Sequence, residues 1–460
     1  MNAEDGLPLP QRYWAIAALL LAIIMAVLDG AIANVALPTI ARNVHADPAS
    51  SIWVVNAYQL AIVVSLLPFA SLGEILGYRK VFRAGLVVFT LASGACALSH
   101  TLVGLTAARV AQGFGAAAIM SLMAALIRHT YPQRMLGRAI GFNALTVSVA
   151  AAVGPTVASA ILAAADWPWL FAVNLPIGVI ALLCSLKLPP SETSGRRFDW
   201  ISAVLNAVTF GFLIIGVDAI AHVGAVGAVC FVVAGVAAVI LVRREMARPA
   251  PLVPLDLLKI RPIAFAVAAS GAVFAAQMLA FVTLPFYFQS AFHRDQVETG
   301  FLMTPWPVAV GLVAPISGRL ADKVPAAILC GGGGAIFAVG VALLALLPAH
   351  ASSLEIGAAM AVCGLGFGFY QAPNNREMIA NAPRARSGAA GGLQATARLV
   401  GQTLGAALVA LVFRLTEHTG FRTALGTAAA FAVVAAGVSV FRPRREAPTP
   451  SAALKPSGEG

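Results

Sequence analysis

Charge is what this chain has least of. Only 11% of its 460 residues are Asp, Glu, Lys or Arg, under half the roughly 25% of a soluble domain. Apolar residues make up 60%, and the mean hydropathy is +0.87. One globular core cannot hide that much apolar surface, so a water-soluble enzyme is excluded, and the same composition excludes a disordered chain. Cysteine is also sparse. Cys96, Cys184, Cys230, Cys330 and Cys363 lie in apolar runs without Cys-x-x-Cys or Cys/His spacing, which argues against a disulfide framework or a metal site and leaves small packing residues. Nucleotide and hydrolase signatures are missing too. The glycine run at 331–334 is apolar and lacks the lysine of a phosphate-binding loop, and no His-Glu-x-x-His, Gly-x-Ser-x-Gly or Cys/His constellation occurs. ATP is therefore not expected to drive this protein, no cofactor or metal is called for, and an enzyme is not expected.

Long apolar runs are abundant. A membrane-crossing helix needs roughly 20 mostly apolar residues. That test gives fourteen runs, at about 13–36, 51–72, 80–98, 103–126, 139–163, 167–187, 200–220, 223–242, 263–289, 298–317, 326–348, 353–373, 388–412 and 421–441. The first run has only Arg12 as a positive flank and continues through Asp29, so it reads as a span and not as a cleaved signal. Of the 30 basic residues, Arg42, Arg294, Arg414 and Arg422 fall on one side, Arg109 and Arg398 stay within spans, and all others gather on the side of the N-terminus. Positive residues concentrate in the cytoplasm, so fourteen spans with both termini inside a bacterial inner membrane are expected. The +11 net charge is then a topology signal, and no nucleic acid partner is called for.

An internal repeat is visible in two loops. The segment Ala70-Ser-Leu-Gly-Glu74-Ile-Leu-Gly77-Tyr-Arg79-Lys80 follows the second run, and Gly318-Arg319-Leu-Ala-Asp322-Lys-Val-Pro325 follows the tenth. Each has a small residue, an acid four later, and a turn-forming residue three after that. If spans 1–6 and 9–14 are equivalent, the loops fall where the symmetry requires, as in transporters built from parallel repeats. The expected division is a cytoplasmic segment 1–12, a six-helix bundle 13–187, a linker region 188–262 with two inserted helices, a second six-helix bundle 263–441 and a disordered tail 442–460.

Four patterns carry a resemblance. They are Leu28-Asp29-Gly-Ala-Ile-Ala-Asn34-Val-Ala-Leu-Pro38, the Gly73–Lys80 loop, Arg109-Val-Ala-Gln112-Gly113-Phe-Gly115, and Gly154-Pro155. In that order, at spans one, two to three, four and five, they resemble the major facilitator superfamily and more closely its fourteen-span drug:proton antiporter group. The resemblance implies an all-α polytopic membrane protein of the major facilitator fold, two six-helix bundles plus two inserted central helices. It also implies export of hydrophobic, monocationic or neutral drugs and biocides, driven by the proton gradient through alternating access. Glu74 stands where the family usually has Asp, Ala70 where it has Gly, Pro325 where the second loop has Gly, and Ala158-Ser159 where a glycine pair often follows the antiporter motif.

Particular residues then acquire candidate roles. An ionised carboxylate in hydrocarbon is expensive and usually functional, so Asp29 is expected to carry a coupling proton, against the alternative of an interhelical hydrogen-bonding acid. Arg109 cannot discharge itself; it either pairs with Asp29 or braces backbone carbonyls. Asn34, Asn56, Gln59, Gln112 and Asn143 are polar groups in apolar runs, facing a cavity or gluing helices. Tyr58, Phe281, Phe286, Tyr287, Trp306 and Tyr370 offer aromatic faces to a lipophilic cation or pack as ordinary membrane aromatics; Trp306 stands out between Pro305 and Pro307.

Glu74, Gly77, Arg79 and Lys80, with Arg319 and Asp322 as partial counterpart, form a conformational latch by the resemblance or a solvated positive loop otherwise. Gly154 and Pro155 bend span five where the halves meet. Gln371-Ala-Pro373-Asn374-Asn375-Arg376 reads as a helix exit, with a cytoplasmic gate as the alternative. Arg398 is either a cavity residue of the second half or, the favoured reading, snorkels to the cytoplasmic face. Asp218 reads as solvated, and Trp167 and Trp169 as an interface belt. Few acids besides Asp29 lie in the spans, which leaves no second countercharge for a dication. The lipid bilayer, small hydrophobic substrates and protons are the expected partners, and nothing indicates a periplasmic adaptor. Export or symport of an endogenous metabolite, and a non-transporting receptor or scaffold, remain as alternatives.

Overall fold

The structure is a computed structural model that describes residues 6–132, 135–190, 193, 197–220, 223–246, 255–321, 323–348, 350–382, 387–416 and 420–443. Every regular element among them is helical. In chain order these are α1 (Gln11–Asn43), α2 (Pro48–Ser51), α3 (Trp53–Leu76), α4 (Tyr78–Ala97), α5 (Leu102–Thr130), α6 (Leu136–Ala164), α7 (Trp169–Ala172), α8 (Asn174–Ser185), α9 (Trp200–Ala219) and α10 (Gly224–Met246). After a short 3-10 turn come α11 (Arg261–Ser290), α12 (Gln296–Met303), α13 (Pro305–Leu320), α14 (Ala326–Leu346), α15 (Ser353–Ala380), α16 (Ser387–Leu415) and α17 (Gly420–Val440). Hydrocarbon offers no hydrogen-bond partner, so the backbone satisfies itself within each helix.

Packing divides the helices into two bundles and a pair. In the first bundle α1 lies on α6 and α8, α5 on α3 and α4, and α4 on α8. In the second, α11 lies on α16 and α17, α15 on α13 and α14, and α14 on α17. The same neighbours thus recur at the same places in the order, so the repeat suggested by two loops governs the packing. The bundles meet through α6 against α12 and α13, α3 against α16, and α1 against α11. Helices α9 and α10 pack on each other, and α9 reaches both α3 and α16. Val229, Val232, Val236 and Val239 of α10 turn outward, an apolar exterior suited to lipid.

Twelve helices among the described residues are long and apolar enough to cross a membrane. At the expected fifth and sixth positions stand α6 and the broken α7–α8 pair, whose apolar stretches are shorter. The expected end of span one at residue 36 is corrected, because α1 runs through Pro38 to Asn43. The expected helix exit at Pro373 is corrected as well, because α15 continues to Ala380. The Asn374 side chain does not cap its own helix. Its Nδ2 donates to Ala266 O at 3.2 Å, and its Oδ1 accepts from Arg442 Nη2 at 2.6 Å, so the amide ties neighbouring elements together. Span ten is two helices, divided at Thr304 with Pro305 opening α13; proline suits a first helical turn, where its missing N–H is not needed.

At the end of the molecule where α1 and α11 finish, polar bonds tie the bundles. Thr39 Oγ1 donates to Gln296 Oε1 at 2.9 Å, Arg42 Nη2 to Gln289 Oε1 at 3.1 Å, and Gln296 Nε2 to Leu162 O at 3.1 Å. The Thr156 and Thr304 hydroxyls meet at 2.9 Å.

Candidate functional site

Asp29 and Arg109 form an ion pair inside the first bundle, both buried. Glycine makes that approach feasible: a Cβ on Gly113, one turn beyond Arg109, would lie 2.6 Å from Tyr58 O and 2.7 Å from Ala61 Cβ. Bare glycine lets α5 sit on α3, which sets the guanidinium against the α3 backbone. Arg109 Nε donates to Val54 O at 3.0 Å and Nη1 to Gln112 Oε1 at 2.6 Å. Gln112 Nε2 donates to Asp29 Oδ1 at 2.7 Å and to Ser93 Oγ at 2.9 Å. Asn174 Nδ2 adds a bond to Asp29 Oδ1 at 3.1 Å. Five helices, α1, α3, α4, α5 and α8, therefore converge on one carboxylate and its cation. Arg109 thus pairs with the acid and also bonds a backbone carbonyl.

The pair is not on the cavity wall. The Arg109 guanidinium carbon lies 4.0 Å from the centre of the Tyr58 ring, a cation–π contact, and Tyr58 itself lines the cavity. The Tyr58 hydroxyl donates to Ala26 O at 3.0 Å, which holds the ring as a partition between charge cluster and cavity.

The cavity, about 230 Å³, lies between the bundles. The first bundle supplies Asn34, Tyr58 and Gln59; the second supplies Gln277, Phe281, Trp306, Gln371, Arg398 and Gln402. Phe281 and Trp306 meet edge to face at 4.7 Å. Several expectations are corrected here. Arg398 does not snorkel to a surface but lines the cavity. Gln112 is spent on the ion pair, and Asn56, Asn143 and Tyr370 are absent from the lining. Tyr370 is fully buried, with its carbonyl accepting from Cys330 Sγ at 3.6 Å. Phe286 packs with Phe413 of α16 and Tyr287 with Phe421 of α17, away from the lining, because α11 turns them toward those two helices. Asp218 is not freely solvated; it is partly buried and pairs with Arg414 at 3.3 Å. Trp169 faces outward, while Trp167 is buried against Phe171.

The loop after α3 turns at Gly77, whose φ of 99° lies in the left-handed region that favours glycine. Arg79 Nη1 donates to Leu188 O at 3.2 Å, Lys80 and Glu74 are exposed, and Glu74 has a partner of its own. Arg319 stands exposed in the last turn of α13; Asp322 lies outside the described residues. Gly154 sits where α6 crosses α1, since its Cβ would fall 2.5 Å from Ala31 Cβ. Next to it, Pro155 turns its carbonyl toward Gly300 of α12, at the junction of the bundles.

Sequence reasoning missed Asn174 and Ser93 around the acid and Gln277 on the wall. Asn174 and Gln277 are amides in apolar runs, the same signal that singled out Asn34. Among the described residues no group of three or more His, Cys, Asp or Glu could hold a metal, and all five cysteines are buried and unpaired.

Comparison with known proteins places this geometry. The chain is 52% identical over 95% of its length, and 97% of the relative's, to the Escherichia coli K12 protein named uncharacterized transporter YebQ. It is 28% identical to the riboflavin transporter RibZ of Clostridioides difficile, covering 90% of this chain and 91% of that one. It is 30% identical to the multidrug resistance protein Stp of Mycobacterium tuberculosis, covering 85% and 74%. The structure of a bacterial homologue of the human lysosomal transporter Spinster superimposes with a TM-score of 0.69 at 14% identity, over 94% of this chain and 97% of that one, a likeness of fold. The sequence model described as Major Facilitator Superfamily matches residues 19–406. With that match, and with a relative sharing half its residues end to end, the chain belongs to the Major Facilitator Superfamily and is a membrane transporter, not an enzyme.

Proposed function

We propose that the protein is a proton-coupled exporter of hydrophobic small molecules, crossing a bacterial inner membrane fourteen times with both termini in the cytoplasm. The observation that carries this reading is the buried Asp29–Arg109 pair behind Tyr58. A buried charge stripped of its partner is costly, about 3–5 kcal/mol. Protonation of Asp29 therefore changes the balance around Arg109, and Arg109 is stacked on a ring that forms part of the cavity wall. Proton and cargo act on the two faces of one tyrosine. The bonds through Gln296 and Arg42 close one end; by the distribution of basic residues that is the outer end, so the cavity described is the inward-facing one. Rocking the bundles about the α1–α11 and α6–α13 contacts would break these bonds and open the outer side.

Support from relatives is of two kinds. The name of Stp points to drugs, and that of RibZ to a metabolite, so a metabolite exporter is the second reading. Flux in proteoliposomes under an imposed pH gradient, across lipophilic ions, neutral antibiotics and flavin-like metabolites, tests both. The expected result is gradient-driven flux of lipophiles that falls at least tenfold in Asp29→Asn. A gradient that drives none of them, or an Asp29→Asn variant that transports normally, sinks the proton-coupled exporter.

A further inference from the structure

Arg398 is the one charged residue among the described residues that line the cavity, and its Nε has no hydrogen-bond partner in the protein. Elsewhere the fold answers such groups. Arg109 has Asp29, Gln112 and Val54 O, Arg414 has Asp218, and Arg42 has Gln289. Among the described residues none forms a hydrogen bond or ion pair with Arg398, which stands about midway along α16. A guanidinium cannot shed its proton, and a charge away from bulk water is costly without a partner. The missing partner is an anion, and the cavity is the place from which one can arrive.

The rest of the wall agrees. Asn34 Oδ1 and Gln277 Oε1 are buried acceptors without partners, and Trp306 Nε1 is a buried donor without one. The apolar part of the wall includes an aromatic group, Phe281 and Trp306 in edge contact with Phe367 also in the lining, together with aliphatic side chains such as Ile62, Met120 and Met278. No carboxylate is present among the described lining residues, so a cationic cargo would place a second positive charge near Arg398 with none of them to offset it. We infer that the cargo is an amphiphilic organic anion, a flat apolar body carrying a carboxylate or similar oxyanion that pairs with Arg398, with polar groups elsewhere that meet Asn34 and Gln277. A guanidinium presents parallel donors that match a carboxylate with two bonds. This inference rests on the transporter reading above and replaces the expectation, read from the sequence, of monocationic or neutral cargo.

The test uses two xanthene dyes of nearly the same shape and opposite charge, anionic fluorescein and cationic rhodamine 123. Fluorescence anisotropy reads their binding to the full chain in nanodiscs of neutral lipid, without any gradient. The expected result is at least tenfold tighter binding of fluorescein than of rhodamine 123. Arg398→Gln should weaken fluorescein at least tenfold and leave rhodamine equal or improved, and Arg398→Lys should restore part of the loss. Preference for rhodamine 123, failure of fluorescein to bind, or unchanged fluorescein binding in Arg398→Gln overturns the inference. The comparison of dyes on the unaltered chain decides the matter even if a variant misfolds. Coupling fails separately: charge-selective binding with no flux under a pH gradient would remove proton-driven export and leave the anion site standing.

Discussion

Arg109 illustrates what a single side chain demands of its surroundings. It keeps its charge at any accessible pH, so the fold surrounds it with a carboxylate, an amide, a carbonyl and an aromatic face. Lysine keeps the charge but has no planar fork and cannot reach Val54 O, Asp29 and Gln112 together. Arg109→Lys should therefore fold and insert yet lose at least tenfold in gradient-driven flux while retaining cargo binding; unchanged flux would reduce the fork to a structural brace. At this scale much of the site is legible in the sequence, because an acid and an arginine in apolar runs are conspicuous. Asn174 is less so, since one amide near a span end announces nothing about its partner. The direction of Arg398 is not legible either. Its distance along the helix allows a reach to either the surface or the cavity, and only the rotation of α16 against α11 decides.

Helices behave as units whose contact faces are set by small residues. Gly113 lies under the α3 backbone and Gly154 against Ala31, so each marks a crossing. Gly113→Leu overfills the first crossing; overpacking costs about 1–3 kcal/mol, and the displaced α3 carries Tyr58 with it. The expected outcome is a lower thermal midpoint in detergent together with weaker dye binding. A variant with the parent's midpoint and affinity would show that α5 and α3 tolerate separation. Helix positions follow from apolar length, so elements are largely legible, within a few residues at most ends. The ends that differ are those at prolines. Pro38 and Pro373 look like terminators locally, but a transmembrane helix has no solvent in which to stop, and the chain continues through both. The division at Thr304 is the reverse case, where proline does begin a helix.

In the whole molecule, the repeated packing of α1–α8 and α11–α17 and the polar seam between them define one conformation of a two-body device. The seam can be tested directly. Thr39→Cys with Gln296→Cys replaces a 2.9 Å hydrogen bond by a potential disulfide, and the native cysteines are all buried. Oxidation should lock the seam and abolish flux, and reductant should restore it. Flux that survives complete cross-linking would mean that this end never opens. The repeat is legible from the loops, whereas the seam is not, because it joins residues far apart in sequence, 39 to 296 and 42 to 289. The two copies of the fold have kept their shape and parted in chemistry. The acid sits in the first bundle, whereas the unanswered arginine and most of the aromatic wall sit in the second. On the proposed reading, relatives could change diet mainly by altering α11, α13 and α16 while keeping the same engine, and a hybrid gene joining one relative's first half to another's second half should take most of its menu from the latter.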